Sequence, residues 1–115
     1  MQNNNFDIQQ GRLKHFLYKS KLRSVLYGSD VEEGFFGQRT GPFGEWLYNK
    51  GMVRYAHMAE MREIERLHKE ISVFVNDLIY MYKRGKMQQA RDGLAKMENY
   101  SQKLLALLDS LERRL

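Results

Sequence analysis

The sequence predicts an all-α protein, an antiparallel four-helix bundle-like domain with one short helix, on three observations. The only proline, Pro42, and most of the glycines fall between Gly28 and Gly51, so the residues that interrupt helices are gathered in one stretch. Outside that stretch, apolar side chains recur at alternating intervals of three and four, the spacing of one helix face. Apolar residues make up 43% and charged residues 29% of the 115, a balance that folds as a single modest domain and is too apolar for disorder.

Taken in order, the first helix is expected from about Phe6 to Tyr27, with Leu13, Phe16, Leu17, Leu22, Val25 and Leu26 as its apolar face and Gly28 as its stop. Residues 1–5 are expected to be disordered. A loop from Ser29 to Pro42 leads to a short helix, Phe43 to Lys50, which carries Trp46, Leu47 and Tyr48 and is closed by Gly51. The aromatic residues of that helix are expected to plug one end of the bundle.

The third helix is expected from about Val53 to Arg84, with Ile64, Leu67, Ile71, Phe74, Leu78 and Met81 on one stripe and His57 a heptad before Ile64. Gly85 then permits a tight reversal. The last helix, Lys86 to Arg114, repeats the spacing through Ala90, Leu94, Met97, Ser101, Leu104, Leu108, Leu111 and Leu115. Gly93 lies beside that stripe and lowers helix propensity by about 1 kcal/mol against alanine. Long helices joined by short turns imply antiparallel neighbours. A single chain of this size is expected to leave part of the last stripe uncovered, so a homodimer is expected.

Composition narrows the chemistry. There is no cysteine, which excludes disulfides and thiolate metal sites and leaves three histidines for any soft-metal role. The net charge of +5 comes from 19 Lys and Arg interspersed with 14 Asp and Glu, the pattern of solvated helix faces and not of a nucleic-acid surface. The tight basic clusters, Lys83-Arg84-Gly85-Lys86 and Arg113-Arg114, sit at helix ends, where cations complement the helix dipole. MQNNNFDIQQ has neither half of a signal peptide, and no apolar run reaches bilayer length, so a cytoplasmic protein without membrane insertion is expected.

Three segments stand in a recognisable order. His15 opens HFLYKSKLRSVLYG; GPFGEWLYNKG spans Gly41 to Gly51; and LHKEIS, from Leu67 to Ser72, precedes a long helix that ends in KRGKMQQA. Together they resemble the chemoreceptor zinc-binding domain, a bacterial signalling module attached to chemoreceptors and to cyclic-di-GMP synthases, over nearly the whole chain. The resemblance implies one zinc held by a His on the first helix, a Cys in a C-x-L-G-x-W-type motif and two His in H-x-x-x-H on the third, a thiolate and three imidazoles filling a tetrahedron. His15 matches the first ligand and His68 the first of the pair, while Gly41 stands at the cysteine position and Ser72 at that of the second histidine.

The resemblance therefore implies a degenerate member, with His15 and His68 as residual metal residues, zinc binding weakened or lost and no cofactor expected. It also implies a stand-alone signal-transduction or chemotaxis sensor module, not an enzyme, with chemotaxis or cyclic-di-GMP signalling proteins as partners. His68 is expected to be buried and hydrogen-bonded to Ser72 one turn later, and a buried pair of histidines is expected to respond to pH.

Other chemistries have less to stand on. The glycines of GQRTGPFGEW follow no expected strand and no Gly-Lys-Ser/Thr is present, so a phosphate loop is unsupported. The alternative is a metal-dependent redox or oxygen-binding bundle using His15, His57, His68 and nearby glutamates, among them Glu65 in a Glu-x-x-His pair with His68. His57, three helical turns before His68, would stand roughly 16 Å from it along a continuous helix, too far for one shared ion. A histidine phosphotransfer bundle would need an exposed histidine on a polar face, and His68 lies beside Leu67 on an apolar seam.

Overall fold

The computed structural model describes residues 3–115, and no strand occurs among them. The helical regions are α1 (Asn3–Val25), a composite of α2 (Gly41–Trp46), a wide π turn (Leu47–Gly51) and α3 (Met52–Tyr55), then α4 (Ala59–Lys83), and finally α5 (Met87–Asp92) continued by α6 (Leu94–Arg114). The molecule measures 49 × 24 × 18 Å. Residues 3–5, expected to be disordered, begin α1; residues 1 and 2 lie outside the described residues.

Helix α1 keeps the second half of its expected apolar face, Leu22, Val25 and, just past the helix, Leu26, but not the first half. Ile8, His15, Tyr18, Leu22 and Val25 point inward, whereas Leu13, Phe16 and Leu17 are 56%, 58% and 41% exposed. Both sets have helical spacing, so periodicity does not distinguish them. The orientation is decided by Gly11, against which the Trp46 ring lies: a Cβ there would stand 2.6 Å from the ring. The same indole donates from Nε1 to the carbonyl oxygen of Asp7 at 3.0 Å, which satisfies its polar edge inside the core.

The short helix also departs from expectation. Gly51 does not close it; with φ −57° and ψ −58° it stays helical, and the chain runs on to Tyr55. Its small size serves packing, because Met61 Sδ lies 3.0 Å from where a Cβ would be. The chain breaks instead at Ala56–Met58, which divides the long helix expected from Val53 into α3 and α4. His57 falls in this break and is exposed, off the α4 stripe.

Helix α4 buries Met61, Ile64, Leu67, His68, Ile71, Ser72, Val75, Leu78 and Ile79. The chain then reverses at Gly85, whose φ of +85° suits glycine. Gly93 marks the junction of α5 and α6 and gives the close approach a reason: a Cβ there would sit 2.5 Å from a Leu78 methyl. Along α6, Met97, Ser101, Leu104, Leu108 and Leu111 are buried, and each of the large apolar side chains contributes roughly 2 kcal/mol. That stripe is covered by α1 and α4 of the same chain. No second chain is needed to bury it, which removes the reason for expecting a dimer through α6.

Ion pairs fix the alignment of the helices. Arg12 on α1 reaches Asp109 and Glu112 on α6, both at 2.6 Å, Lys19 reaches Glu98 at 3.1 Å, and Arg114 reaches Glu60 on α4 at 2.9 Å. Such partly exposed pairs are worth less than about 1 kcal/mol each and serve mainly to set register. Among the described residues, no helix is long and apolar enough to cross a membrane.

Candidate functional site

The sequence-predicted residues converge in one layer of the core. His15 from α1 and His68 from α4 are both buried, and the Phe43 ring of the GPFGEW segment packs between them, with centroids 5.8 Å from His15 and 4.9 Å from His68. Tyr18, one turn after His15, completes the layer, edge-on to His68 at 5.8 Å and to Phe36 at 5.1 Å. Aromatic edges and faces thus fill the space between the imidazoles.

Each polar group of the layer has a specific task. His15 Nε2 pairs with the Ser101 hydroxyl of α6 at 2.8 Å. His68 Nε2 donates to the backbone carbonyl of Gln38 at 3.0 Å, which sets its tautomer. Contrary to the sequence expectation, Ser72 does not pair with His68; its hydroxyl donates to the Phe36 carbonyl at 2.8 Å. Asn76 donates to the same carbonyl at 3.4 Å and to the Ser72 carbonyl at 2.8 Å. His68, Ser72 and Asn76, spaced one turn apart on α4, therefore form a clasp that holds the main chain of the loop before α2. Gln38 is gripped a second time, its side-chain amide donating to the Tyr48 hydroxyl at 2.8 Å, which in turn donates to Glu65 at 2.7 Å.

Electrostatics keep the layer neutral. Burial lowers the His15 pKa to about 3, with the charge of Lys19, and that of His68 once protonated, adding to the effect. Burial likewise lowers that of His68 to about 4, against the opposing pull of the Gln38 and Gly37 backbone. Both imidazoles are uncharged at neutral pH. Burial also raises the Tyr18 phenol above its ordinary range, so the hydroxyl stays protonated.

Gly41 stands where the resemblance places a cysteine, and its backbone leaves no room for one. Its φ is +75°, and a Cβ would lie 2.0 Å from the carbonyl oxygen of Phe35. The donor set fits a tetrahedral zinc ion poorly. Nε2 of both imidazoles and the Ser72 hydroxyl are engaged by protein groups, Gly41 offers no side chain, and no cluster of three or more His, Asp or Glu occurs among the described residues. His57 is apart in its exposed turn, and Glu65 is turned to Tyr48, so neither joins the pair.

Three features of the layer escaped the sequence reading. Tyr18 and Ser101 line it, and both lie on stripes whose spacing was visible. Asn76 extends the 68–72–76 ladder of polar residues on an otherwise apolar helix face, a signal that was present. A second polar knot, near the start of α1, has no such signature: the buried carboxylate of Asp7 accepts from Arg54 at 2.9 Å and from Tyr55 at 2.8 Å, tying α1 to α3.

The Tyr18 hydroxyl is buried without a hydrogen-bond partner, and the neighbouring Ser72 hydroxyl is directed at the Phe36 carbonyl. An unsatisfied buried donor is a standing cost, and removing it relieves that cost. Tyr18→Phe is expected to leave the fold intact and raise its stability by about 1 kcal/mol, read as a higher urea midpoint at unchanged slope; a fall of the midpoint would show that the hydroxyl has a partner in solution.

No family model, no curated protein and no solved structure matches this chain.

Proposed function

We propose that this chain is a bacterial regulatory module of the chemoreceptor zinc-binding type, an antiparallel helical bundle that works by docking to a signalling partner or by changes in dimer packing, without enzymatic activity of its own. One observation supports the reading above the rest. Segments far apart in sequence, around His15, Gly41–Trp46 and His68–Ser72, meet in a single buried layer, as the resemblance requires of residues that descend from one metal site.

In this reading the ion's structural task has passed to the clasp. Holding the loop to α4 by hydrogen bonds from His68, Ser72 and Asn76 replaces holding it by a metal ligand on each side. The input is then no longer zinc occupancy but whatever alters the packing of the loop and helices, and two packings a few kcal/mol apart are enough for a partner to select between. The partners are chemotaxis or cyclic-di-GMP signalling proteins, and the location is the cytoplasm.

Deleting the gene in its host and measuring swimming behaviour and cyclic-di-GMP together tests the assignment. A change in either is expected; normal values of both would reject it. Zinc titration of the purified protein tests the site itself. No stoichiometric binding is expected, whereas one zinc per chain, lost in His15→Ala, would show that the ion still occupies the layer.

A further inference from the structure

The outward face of α1 is apolar along its crest, cationic along one flank, and along the other carries cations interleaved with carboxylates of α6. Phe6, 60% exposed, joins Leu13, Phe16 and Leu17 within a strip about 100° wide on the helix. Lys14 and Lys21 lie roughly 80–100° to one side of Leu13, and Arg12, Lys19 and Arg23 roughly 80–120° to the other. Arg12 and Lys19 are held by carboxylates of α6, while Lys14, Lys21 and Arg23 have no ion-pair partner among the described residues. No carboxylate of α1 itself lies on the face, since its acidic residue, Asp7, is turned into the core; those beside it are Glu98, Asp109 and Glu112 of α6, paired with Lys19 and Arg12.

Beside the crest, α1 and α6 enclose a hollow of about 450 Å³. Phe16, Leu94 and Met97 make its apolar side, and Arg23 with the hydroxyl-bearing Ser20 and Ser24 its polar side; the Lys19–Glu98 pair closes it. A cation and two hydroxyls next to an apolar wall match the phosphate and the first acyl carbons of an anionic phospholipid.

We propose that this face is a docking surface for an anionic membrane, on which the protein adsorbs without insertion. The crest would enter the boundary between headgroups and acyl chains while the flanking lysines and Arg23 reach the phosphates, the geometry of an interfacial amphipathic helix. A second copy of the chain is the obvious other cover, and charge opposes its antiparallel pairing through Leu13, which sets the Lys14–Lys21 flank against itself, cation on cation. Parallel pairing sets that flank against one whose cations are balanced by Asp109, Glu112 and Glu98, and it meets the same interrupted stripe as any partner helix. A partner helix with acidic flanks answers the charge but lacks a seam to follow. The positions one heptad before Phe16 and after Leu13 are Gln9 and Ser20, so the stripe is not continued as a coiled coil needs, whereas a fluid interface accommodates polar and apolar side chains side by side.

Vesicle flotation tests the proposal on the 115-residue chain, using vesicles of phosphatidylcholine alone and of phosphatidylcholine with equimolar phosphatidylglycerol. Partitioning onto the anionic vesicles is expected to exceed that onto the neutral ones by roughly tenfold or more and to fall as salt is added. Leu13→Ser/Phe16→Ser, at exposed positions, and Lys14→Glu/Lys21→Glu, at half-buried flanking positions, are each expected to lower it by roughly tenfold while the circular dichroism spectrum and the urea midpoint stay near wild type. Equal binding to both vesicles, or anionic binding that neither variant weakens, would overturn it. So would two other results: no partition to either vesicle, which assigns the face to a protein partner, and a lipid-free dimer abolished by Leu13→Ser/Phe16→Ser, which assigns it to a second copy. These readouts do not involve zinc or signalling output, so this proposal and the functional one above fail separately.

Discussion

Acidification from pH 7 to pH 5 is expected to destabilise the fold by about 4 kcal/mol through two side chains, roughly 2 kcal/mol each from His15 and His68. The folded-state pKa values, about 3 and about 4, lie below the ordinary histidine value of 6.5. Unfolding exposes both imidazoles, which then take up protons that the native state refuses. The unfolded chain therefore binds more protons throughout the window between 6.5 and the folded values, so stability is complete above pH 6.5 and is lost as the pH falls through that window. Against a typical total of about 5–15 kcal/mol, a loss of this size moves the protein close to its unfolding threshold. Urea unfolding of wild type and of His15→Gln/His68→Gln at pH 7, 6 and 5 gives the check. The double variant is expected to start from a lower stability and to show a much flatter decline with pH; an equal decline in both proteins would place the acid sensitivity elsewhere.

Rebuilding the ligand set that the resemblance implies is expected to damage the protein and not to endow it with zinc. In Gly41→Cys/Ser72→His, the cysteine must adopt a φ of +75° with its Cβ 2.0 Å from the Phe35 carbonyl, so the loop has to move. The histidine at 72 removes the hydroxyl that holds the Phe36 carbonyl and brings a larger ring into a filled layer. Backbone strain at a left-handed position and a lost buried hydrogen bond each cost on the order of 1–3 kcal/mol, so a total of about 3 kcal/mol or more is expected. Gly41→Ala separates the causes: if it loses as much as Gly41→Cys, the backbone and not the thiol is responsible. A double variant that keeps the wild-type urea midpoint and binds one zinc per chain would show that the loop can reopen into a metal site.

How far the sequence revealed this architecture depended on what each helix buries. Helices α4 and α6 were read almost residue by residue, because Ile64, Leu67, Ile71 and Leu78 on one and Leu104, Leu108 and Leu111 on the other place apolar side chains on a single side. The first half of helix α1 was misread because it buries Asp7, Gly11, His15 and Tyr18 and exposes Leu13, Phe16 and Leu17, whereas Leu22, Val25 and Leu26 are buried as expected. Hydrophobicity ranks those two faces in the wrong order. The break at Ala56–Met58 was invisible because it contains neither glycine nor proline, and Gly51 misled because it was chosen by Met61 for its size and not by the backbone for its freedom.

At the candidate site, the placing of His15 and His68 in one layer, on either side of Phe43, was legible through motif order alone. What those groups do was not, because the partners of His68 and Ser72 are the carbonyls of Gln38 and Phe36, and a main-chain acceptor leaves no mark in a residue pattern. The unpaired Tyr18 hydroxyl was equally hidden, since lacking a partner is a property of the assembled layer.

That asymmetry also bears on how such a sequence can diverge over generations. The clasp makes its chemical demand on α4, where positions 68, 72 and 76 must each keep a donor at the right height. Its acceptors in the loop are carbonyl groups, which every amino acid supplies. Lineages descended from this chain are thus free to rewrite much of the loop, save where Phe36 fills the core and Gly41 bends the backbone, while the three donors on α4 change slowly or together. A module tethered in this way can acquire new loop surfaces for new partners without renegotiating its fold.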